Sequence, residues 1–256
     1  MAVDRAVIFA AVRRLVGRGL TQAEVDTANA TIDRALAARA AESSAHPHRL
    51  GSLSEHYESG GRGAGTVSGG QGDPGGVSYG LYQLASKTGT AKAFVLHEGA
   101  PWAAQLSAAP GTAAFTAAWK AIAASEGAAF GAAQHAFIKR SHYAPAVAAV
   151  LAANHFDLNS RPNAVRDAVW STAVQHASAP GLLKAAVTKA DPKAARGTLE
   201  HDSATIEAIY LGRTALVSTL AQNASKPAVH QTMLNIIANR YPDELAAALA
   251  FLLPRN

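Results

Sequence analysis

The sequence predicts a mainly α-helical protein, and three observations carry that prediction. Of its 256 residues, 49% are hydrophobic but only 6% are aromatic, because alanine, the strongest helix former, fills most apolar positions. Apolar residues recur at helical spacing, and prolines and glycines stand at the breaks between them. Strand and helix patterns do not alternate, which argues against an open α/β sheet. A chain this long and this apolar can bury a core, so disorder of the whole chain is excluded.

Residues 1–45 predict a short N-terminal helical pair. Apolar residues recur at helical spacing as far as Val16, and Thr21 with Glu24 forms a capping box that opens a second helix to about Arg39. A pair this short cannot bury both apolar stripes alone. We therefore expect it to dock on the main domain, on the cell wall or on a delivery machine.

The main domain is predicted to span residues 46–256, and its one compositional anomaly is a glycine-rich stretch. Residues 60–80 hold ten of the 21 glycines of the chain. Glycine permits positive φ and close backbone approach. A flexible linker would not carry apolar residues such as Val67 and Tyr79, so we expect a small hairpin or irregular loop that shapes a site. After this stretch the pattern is helical to the end of the chain, and the first predicted helix there covers 80–86.

Composition excludes several classes of site and partner. The absence of cysteine removes disulfide scaffolds, thiolate metal sites and cysteine nucleophiles. His46 and His48 have no third ligand at a useful spacing, so we expect a linker with two solvated histidines and no metal or cofactor. The net charge of +5 suits a polyanionic partner, or it belongs to a surface that simply is basic.

The sequence also indicates which partners and which cellular compartment to expect. No nucleic-acid motif is present and the low aromatic content offers no stacking platform, so we expect no nucleic-acid partner. No apolar run approaches the roughly 20 residues that span a bilayer. We identify no signal peptide, so an extracytoplasmic role requires another route of delivery.

One carboxylate lies just before the glycine-rich stretch and another lies within it, in unlike settings. Glu58 ends a predicted short helix beside Tyr57, and Asp73 lies within the glycines. Cleavage of a glycosidic bond needs a general acid and, in most enzymes, a second carboxylate. A carboxyl against aromatic rings has a raised pKa and stays protonated, whereas a solvated one stays ionised. The alternatives are that Glu58 merely ends a helix, that Asp73 belongs to an ordinary Asp-Pro-Gly turn, and that Glu55 is the acid instead.

The residues around both carboxylates resemble a known family. Residues 54–61 read SEHYESGG and residues 72–84 read GDPGGVSYGLYQL. They resemble the catalytic stretch of muramidase domains fused to type VI secretion VgrG spikes, and of phage and prophage relatives in the lysozyme-like superfamily. FIKRSHY at 137–143 and VWSTAVQH at 169–176 add support. The resemblance implies a lysozyme-like helical domain with a small glycine-rich hairpin.

The resemblance also implies roles for individual residues. Glu58 would be the general acid and Asp73 the base that activates water. Residues that would contact the sugar are Ser78, Tyr79, Gln83, His142, Gln175 and His176. For both histidines, a structural role between helices is an equal alternative.

The implied activity is hydrolysis of the β-1,4 bond between N-acetylmuramic acid and N-acetylglucosamine in peptidoglycan, without a cofactor. We expect a monomer that acts on glycan strands of the periplasm or cell wall. It would be delivered there without a signal peptide, in phage lysis or by type VI secretion. Its protein partners would be an immunity protein or a spike component. The alternatives are a lytic transglycosylase, a chitosanase-like glycosidase, and a non-enzymatic wall-binding module of a spike or tail.

Overall fold

A computed structural model describes residues 3–42, 48–53, 63–70 and 75–253, and these residues form a mainly α-helical structure, as the sequence predicts. Short 3₁₀ segments cover Ala100–Trp102 and Leu158–Ser160, and π-helical turns cover Lys139–Tyr143 and Ile236–Arg240. The described helices are α1 (Arg5–Val16), α2 (Gln22–Glu42), α3 (Thr90–Leu96), α4 (Ala113–Ile138), α5 (Ala144–Asn154), α6 (Asn163–Gln175), α7 (Ala179–Ala190), α8 (Leu199–Gln222), α9 (Pro227–Asn235) and α10 (Tyr241–Leu252).

The chain divides into two compact units. One, here the terminal unit, comprises residues 1–54 and 145–256. The other, here the central unit, comprises residues 55–144. The N-terminal helical pair therefore shares a unit with the C-terminal helices.

The terminal unit is built around α10, in which every residue except Asp243 is buried. Helices α1, α2, α6 and α8 all pack against α10. The N-terminal pair thus buries its apolar residues, among them Ile8 and Ile32, both fully buried. The predicted pair is confirmed, and so is its capping box, in which Thr21 N–H donates to Glu24 at 2.8 Å and Glu24 N–H to Thr21 at 3.3 Å.

The central unit contains a short hairpin. Strands β1 (Ser78–Tyr79) and β2 (Leu84–Ala85) pair antiparallel, with Tyr79 opposite Leu84. The predicted helix over 80–86 is wrong, because Gly80 (φ 75°) and Gln83 (φ 51°) adopt left-handed conformations that turn the chain back on itself. The predicted hairpin in the glycine-rich stretch is confirmed.

Helix α4 carries the aromatic core of the central unit. Phe115, Trp119 and Phe130 on α4 are fully buried, together with Phe94 of α3. Their rings meet edge-on or tilted, with 4.6 Å between the ring centroids of Trp119 and Phe130. Burial of each ring contributes about 1.5–3 kcal/mol to the free energy of unfolding through the hydrophobic effect. The cluster is therefore a stable base against which the hairpin packs. Within the described ranges, no helix is both long enough and apolar enough to cross a membrane.

Candidate functional site

The two predicted catalytic carboxylates, Glu58 and Asp73, and the rival acid Glu55 lie outside the described residues. What the structure describes is the chain that follows each of them. Residues 63–70 follow Glu58, and residues from 75 onward follow Asp73.

These two following segments lie side by side. Ser68 N–H donates to the carbonyl of Ser78 at 2.9 Å, and Gly80 N–H donates to the carbonyl of Thr66 at 2.7 Å. Ser78 N–H in turn donates to the Ser68 hydroxyl at 2.8 Å. The chain after Glu58 is therefore held against β1 as a short additional antiparallel bridge.

Tyr79 and Ser78, two predicted sugar contacts, are buried in this arrangement. Tyr79 is fully buried, and its ring packs against Phe115 at 4.9 Å between centroids. Its hydroxyl lies 2.9 Å from the Thr116 hydroxyl and accepts the Gly111 N–H at 3.0 Å. The structure thus places Tyr79 where it fastens β1 to α4.

Gln83, a third predicted contact, is half-buried at the tip of the hairpin. Its φ of 51° is left-handed, which is rare for a residue with a side chain and costs on the order of 1–3 kcal/mol. Its Nε2 donates to the carbonyl of Gly80 at 3.0 Å. Such conformations concentrate at ligand sites, so Gln83 is the strongest described candidate for a substrate contact.

Tyr82 and His135 form a polar contact that the sequence analysis missed. The Tyr82 hydroxyl lies 2.8 Å from Nδ1 of His135 on α4. The histidine is half-buried and the tyrosine is buried. The sequence gives no signal for this pairing, because the two residues are 53 positions apart.

An open groove of about 470 Å³ lies between the chain that follows Glu58 and α4. A Cβ added to Gly65 would come within 3.0 Å of the Ala123 Cβ, so glycine permits the close approach of the two walls. The exposed Lys120 supplies a cation to the groove. The lining residues are Gly63, Ala64, Gly65, Lys120, Ala123, Ala124 and Gly127.

His142, also in the central unit, lies in the π-helical turn after α4. Its Nδ1 is 2.7 Å from the Ser141 hydroxyl, and the side chain is half-buried. Burial lowers the pKa of His142 below its usual value. The imidazole is therefore neutral at pH 7 and can both donate and accept a hydrogen bond.

Gln175 and His176 lie in the terminal unit, where they join a buried polar network. Gln175 accepts hydrogen bonds from Arg213 and from the Tyr241 hydroxyl, the latter at 3.2 Å. His176 Nε2 lies 3.0 Å from the same hydroxyl. Burial, together with the charges of Arg213 and Arg240, lowers the pKa of His176 to about 4.

The centre of that network is a buried carboxylate, Glu244, which the sequence analysis also missed. It accepts hydrogen bonds from Arg213 at 2.9 Å, Arg240 at 2.6 Å, Ser171 at 2.9 Å and Tyr210 at 3.2 Å. Burial alone would raise the pKa of Glu244, but the two guanidinium groups outweigh it and hold that pKa below its usual value. The network is a closed structural ion cluster that joins α6, α8 and α10.

His48 is buried and lies against a carboxylate, contrary to the prediction from the sequence. Its side chain is only 5% exposed, and its Nε2 lies 2.9 Å from the carboxylate of Asp167. The expectation of a solvated linker histidine is therefore wrong at this position, because the chain folds back on α6; His46 lies outside the described residues. Among the residues that the structure covers, no group of three or more histidines and carboxylates is placed to hold a metal ion.

Comparisons with known proteins give a family context. A family model described as "Type VI secretion system spike protein VgrG3-like, C-terminal" matches residues 50–240. The type VI secretion system spike protein VgrG3 of Vibrio cholerae serotype O1 is 37% identical over 135 residues, which make up 52% of this chain and 13% of that protein. The matched range 50–240 contains both predicted catalytic carboxylates and all six predicted sugar contacts.

Proposed function

Because this chain belongs to the VgrG3-like C-terminal family of type VI secretion spike proteins, we propose that it is a peptidoglycan hydrolase of the muramidase type. The observation that carries the proposal is the pairing of the segments that follow Glu58 and Asp73, with Ser68 and Ser78 bonded to each other at 2.8–2.9 Å. The register of these two following segments supports a site that both residues share, and a shared site is what acid/base chemistry by two carboxylates requires.

In the proposed reaction, Glu58 protonates the glycosidic oxygen as the bond to the anomeric carbon breaks. Asp73 accepts a proton from a water molecule that attacks the anomeric carbon from the opposite face. This inverting arrangement needs about 6.5–9.5 Å between the two carboxyl groups, to leave room for the water.

The groove between residues 63–65 and α4 is the proposed path for the glycan. Peptidoglycan is polyanionic, so the Lys120 ammonium suits it, as does the net charge of +5. Gln83 and the neutral His142 are the proposed sugar contacts, with Tyr79 and Ser78 holding the hairpin beneath. We propose no sugar contact for Gln175 and His176, whose polar atoms bond Arg213 and Tyr241.

Type VI delivery is the proposed route to the cell wall. Membership of a spike family favours secretion over phage lysis. The chain matches only 13% of the V. cholerae spike protein, so the proposal concerns the enzymatic module and not the spike as a whole. An effector of this kind implies an immunity protein in the producing cell.

The test uses the purified chain on purified peptidoglycan, followed by turbidity and by mass spectrometry of the released sugars. We expect reducing-end muropeptides from the wild type. Glu58→Gln and Asp73→Asn should each lower the rate by about 10²–10⁴-fold, which is the rate enhancement that a general acid or base typically contributes. Glu55→Gln is the matched control and should retain activity.

The alternative functions give different results in the same experiment. Anhydro-muramic ends, with activity surviving in Asp73→Asn, would indicate a lytic transglycosylase. Cleavage of chitosan in preference to peptidoglycan would indicate a chitosanase-like enzyme. A wild type that binds peptidoglycan and releases no sugar would contradict the proposal and leave a wall-binding module.

A further inference from the structure

Gln134 on α4 is a fully buried amide with a hydrogen bond at each end. Its Oε1 accepts the backbone N–H of Leu81 at 2.9 Å, and its Nε2 donates to the carbonyl of Ala64 at 3.2 Å. Trp119, on the same helix, donates its indole N–H to that same carbonyl at 2.9 Å. All of these contacts lie within the central unit.

The two backbone groups that Gln134 holds belong to the two segments of the proposed active site. Ala64 follows Glu58 by six residues, and Leu81 follows Asp73 by eight. One side chain therefore fastens both segments to the same turn of α4. A group that only donates or only accepts cannot make both bonds, whereas a carboxamide can.

The packing around Gln134 is built for this close approach. Gly80 has a φ of 75°, and a Cβ there would lie 2.2 Å from the Gln134 Oε1. Gly131, one turn earlier on α4, faces both segments: a Cβ there would meet Leu81 at 3.5 Å and Ala64 at 3.6 Å. Gly80 thus leaves the space that the Gln134 amide needs, whereas a Cβ at Gly131 would make only ordinary contacts.

We propose that Gln134 is a positioning residue for glycosidic cleavage, which holds the segments that follow Glu58 and Asp73 in register through the backbone of Ala64 and Leu81. This inference rests on the proposed function. Misplacement of a reacting group by about 1 Å can lower a rate by about 10²-fold, so a clamp of this kind acts on kcat more than on KM.

The test is Gln134→Glu in the whole chain, assayed on peptidoglycan from acidic to alkaline pH. An ionised carboxylate still accepts from Leu81 but cannot donate to Ala64, and its charge opposes that carbonyl. Burial raises the pKa of the introduced carboxyl, so we expect kcat to fall at least about tenfold at alkaline pH, where that carboxyl is ionised, with KM within about twofold. As the introduced carboxyl protonates at lower pH, it regains a donor, so the ratio of variant to wild-type kcat should rise.

Gln134→Met, of similar size and without polar atoms, should lose kcat at every pH with no recovery. Thr205→Ala in the terminal unit is the control for stability, because it removes one buried hydrogen bond, to His201 at 2.8 Å, far along the chain from the site. It should retain the wild-type kcat and pH profile.

The outcomes separate the two proposals. If Glu58→Gln is inactive but both Gln134 variants keep the wild-type kcat, the inference about Gln134 is wrong and the proposed function stands. A native circular dichroism spectrum for Gln134→Glu without recovery at acidic pH, or loss of its native fold, also overturns the inference. If the wild type releases no sugar, both proposals fail.

Discussion

Asp167 accepts a hydrogen bond from the backbone N–H of Gly51 at 2.8 Å, with its carboxylate buried. The same carboxylate also lies 2.9 Å from His48 Nε2 and accepts the Leu53 N–H at 3.2 Å. A single side chain on α6 thereby organises residues 48–53. This is the described chain that leads into the segment bearing Glu58.

We predict that Asp167→Ala lowers the free energy of unfolding by about 3 kcal/mol. The substitution leaves the buried Gly51 amide and the half-buried Leu53 amide without their acceptor, and an unsatisfied buried group costs about 1–3 kcal/mol. Urea denaturation followed by circular dichroism measures the change. Asp33→Ala, which removes a carboxylate that is 65% exposed in its ion pair with Arg5, is the control and should cost less than about 1 kcal/mol. Equal losses in the two variants would contradict the prediction.

Gly51 and Gly17 make a matched pair for a second prediction. Both have positive φ, at 87° and 74°, but a Cβ on Gly51 would lie 2.4 Å from the Trp170 indole nitrogen, whereas nothing lies within 4 Å of one on Gly17. Gly17→Ala should therefore cost only the backbone strain, about 1 kcal/mol. Gly51→Ala should cost more than 3 kcal/mol, because the buried Trp170 must shift as well. Midpoints of thermal unfolding for the two variants check the difference.

Much of the fold was predictable because it depends on local patterns of apolar residues, capping residues and glycines. Helical spacing and the Thr21–Glu24 capping box located α1 and α2, and the run of glycines located the hairpin. The predicted helix over 80–86 failed because the left-handed conformation of Gln83 is set by contacts with Gly80, and not by residue preference.

The polar clusters could not be predicted, for a different physical reason. Glu244 bonds Arg213 and Ser171 across 31 and 73 residues, and Gln134 reaches Ala64 across 70. Such pairs depend on how helices pack, which no local pattern encodes. His48 shows the same effect, since its partner Asp167 lies 119 positions away.

The third prediction concerns the pH dependence of stability. Burial and the charges of Arg213 and Arg240 hold the pKa of His176 at about 4 in the folded state, against 6.5 ordinarily, although the charge of Glu244 acts to raise it. Between pH 6.5 and 4 the unfolded chain therefore binds a proton that the folded chain does not. The free energy of unfolding should fall as pH falls through this window, by up to about 3 kcal/mol from this group.

His176→Gln tests that linkage, because glutamine keeps a hydrogen-bonding group near Tyr241 and does not titrate. Its unfolding free energy should depend less steeply on pH between 6.5 and 4 than that of the wild type. Urea titrations at pH 7 and pH 4.5 give the two values needed. His97→Gln, at an exposed histidine, is the control and should leave the wild-type slope unchanged; the same slope in His176→Gln would refute the assignment.

The last prediction uses the left-handed backbone of Gln83 to separate conformation from chemistry. Glycine adopts a φ of 51° freely, so Gln83→Gly should stay within about 1 kcal/mol of the wild type, with relief of strain offsetting the lost bond to Gly80. A β-branched residue is strained there, so Gln83→Val should cost about 2 kcal/mol or more.

If the side chain contacts the sugar, Gln83→Gly should be folded yet lose at least about tenfold in kcat/KM on peptidoglycan, because its carboxamide is absent. Gln83→Asn, which tolerates this backbone and keeps a carboxamide, should retain more activity than Gln83→Gly. Wild-type kcat/KM in Gln83→Gly would mean that the residue only shapes the turn.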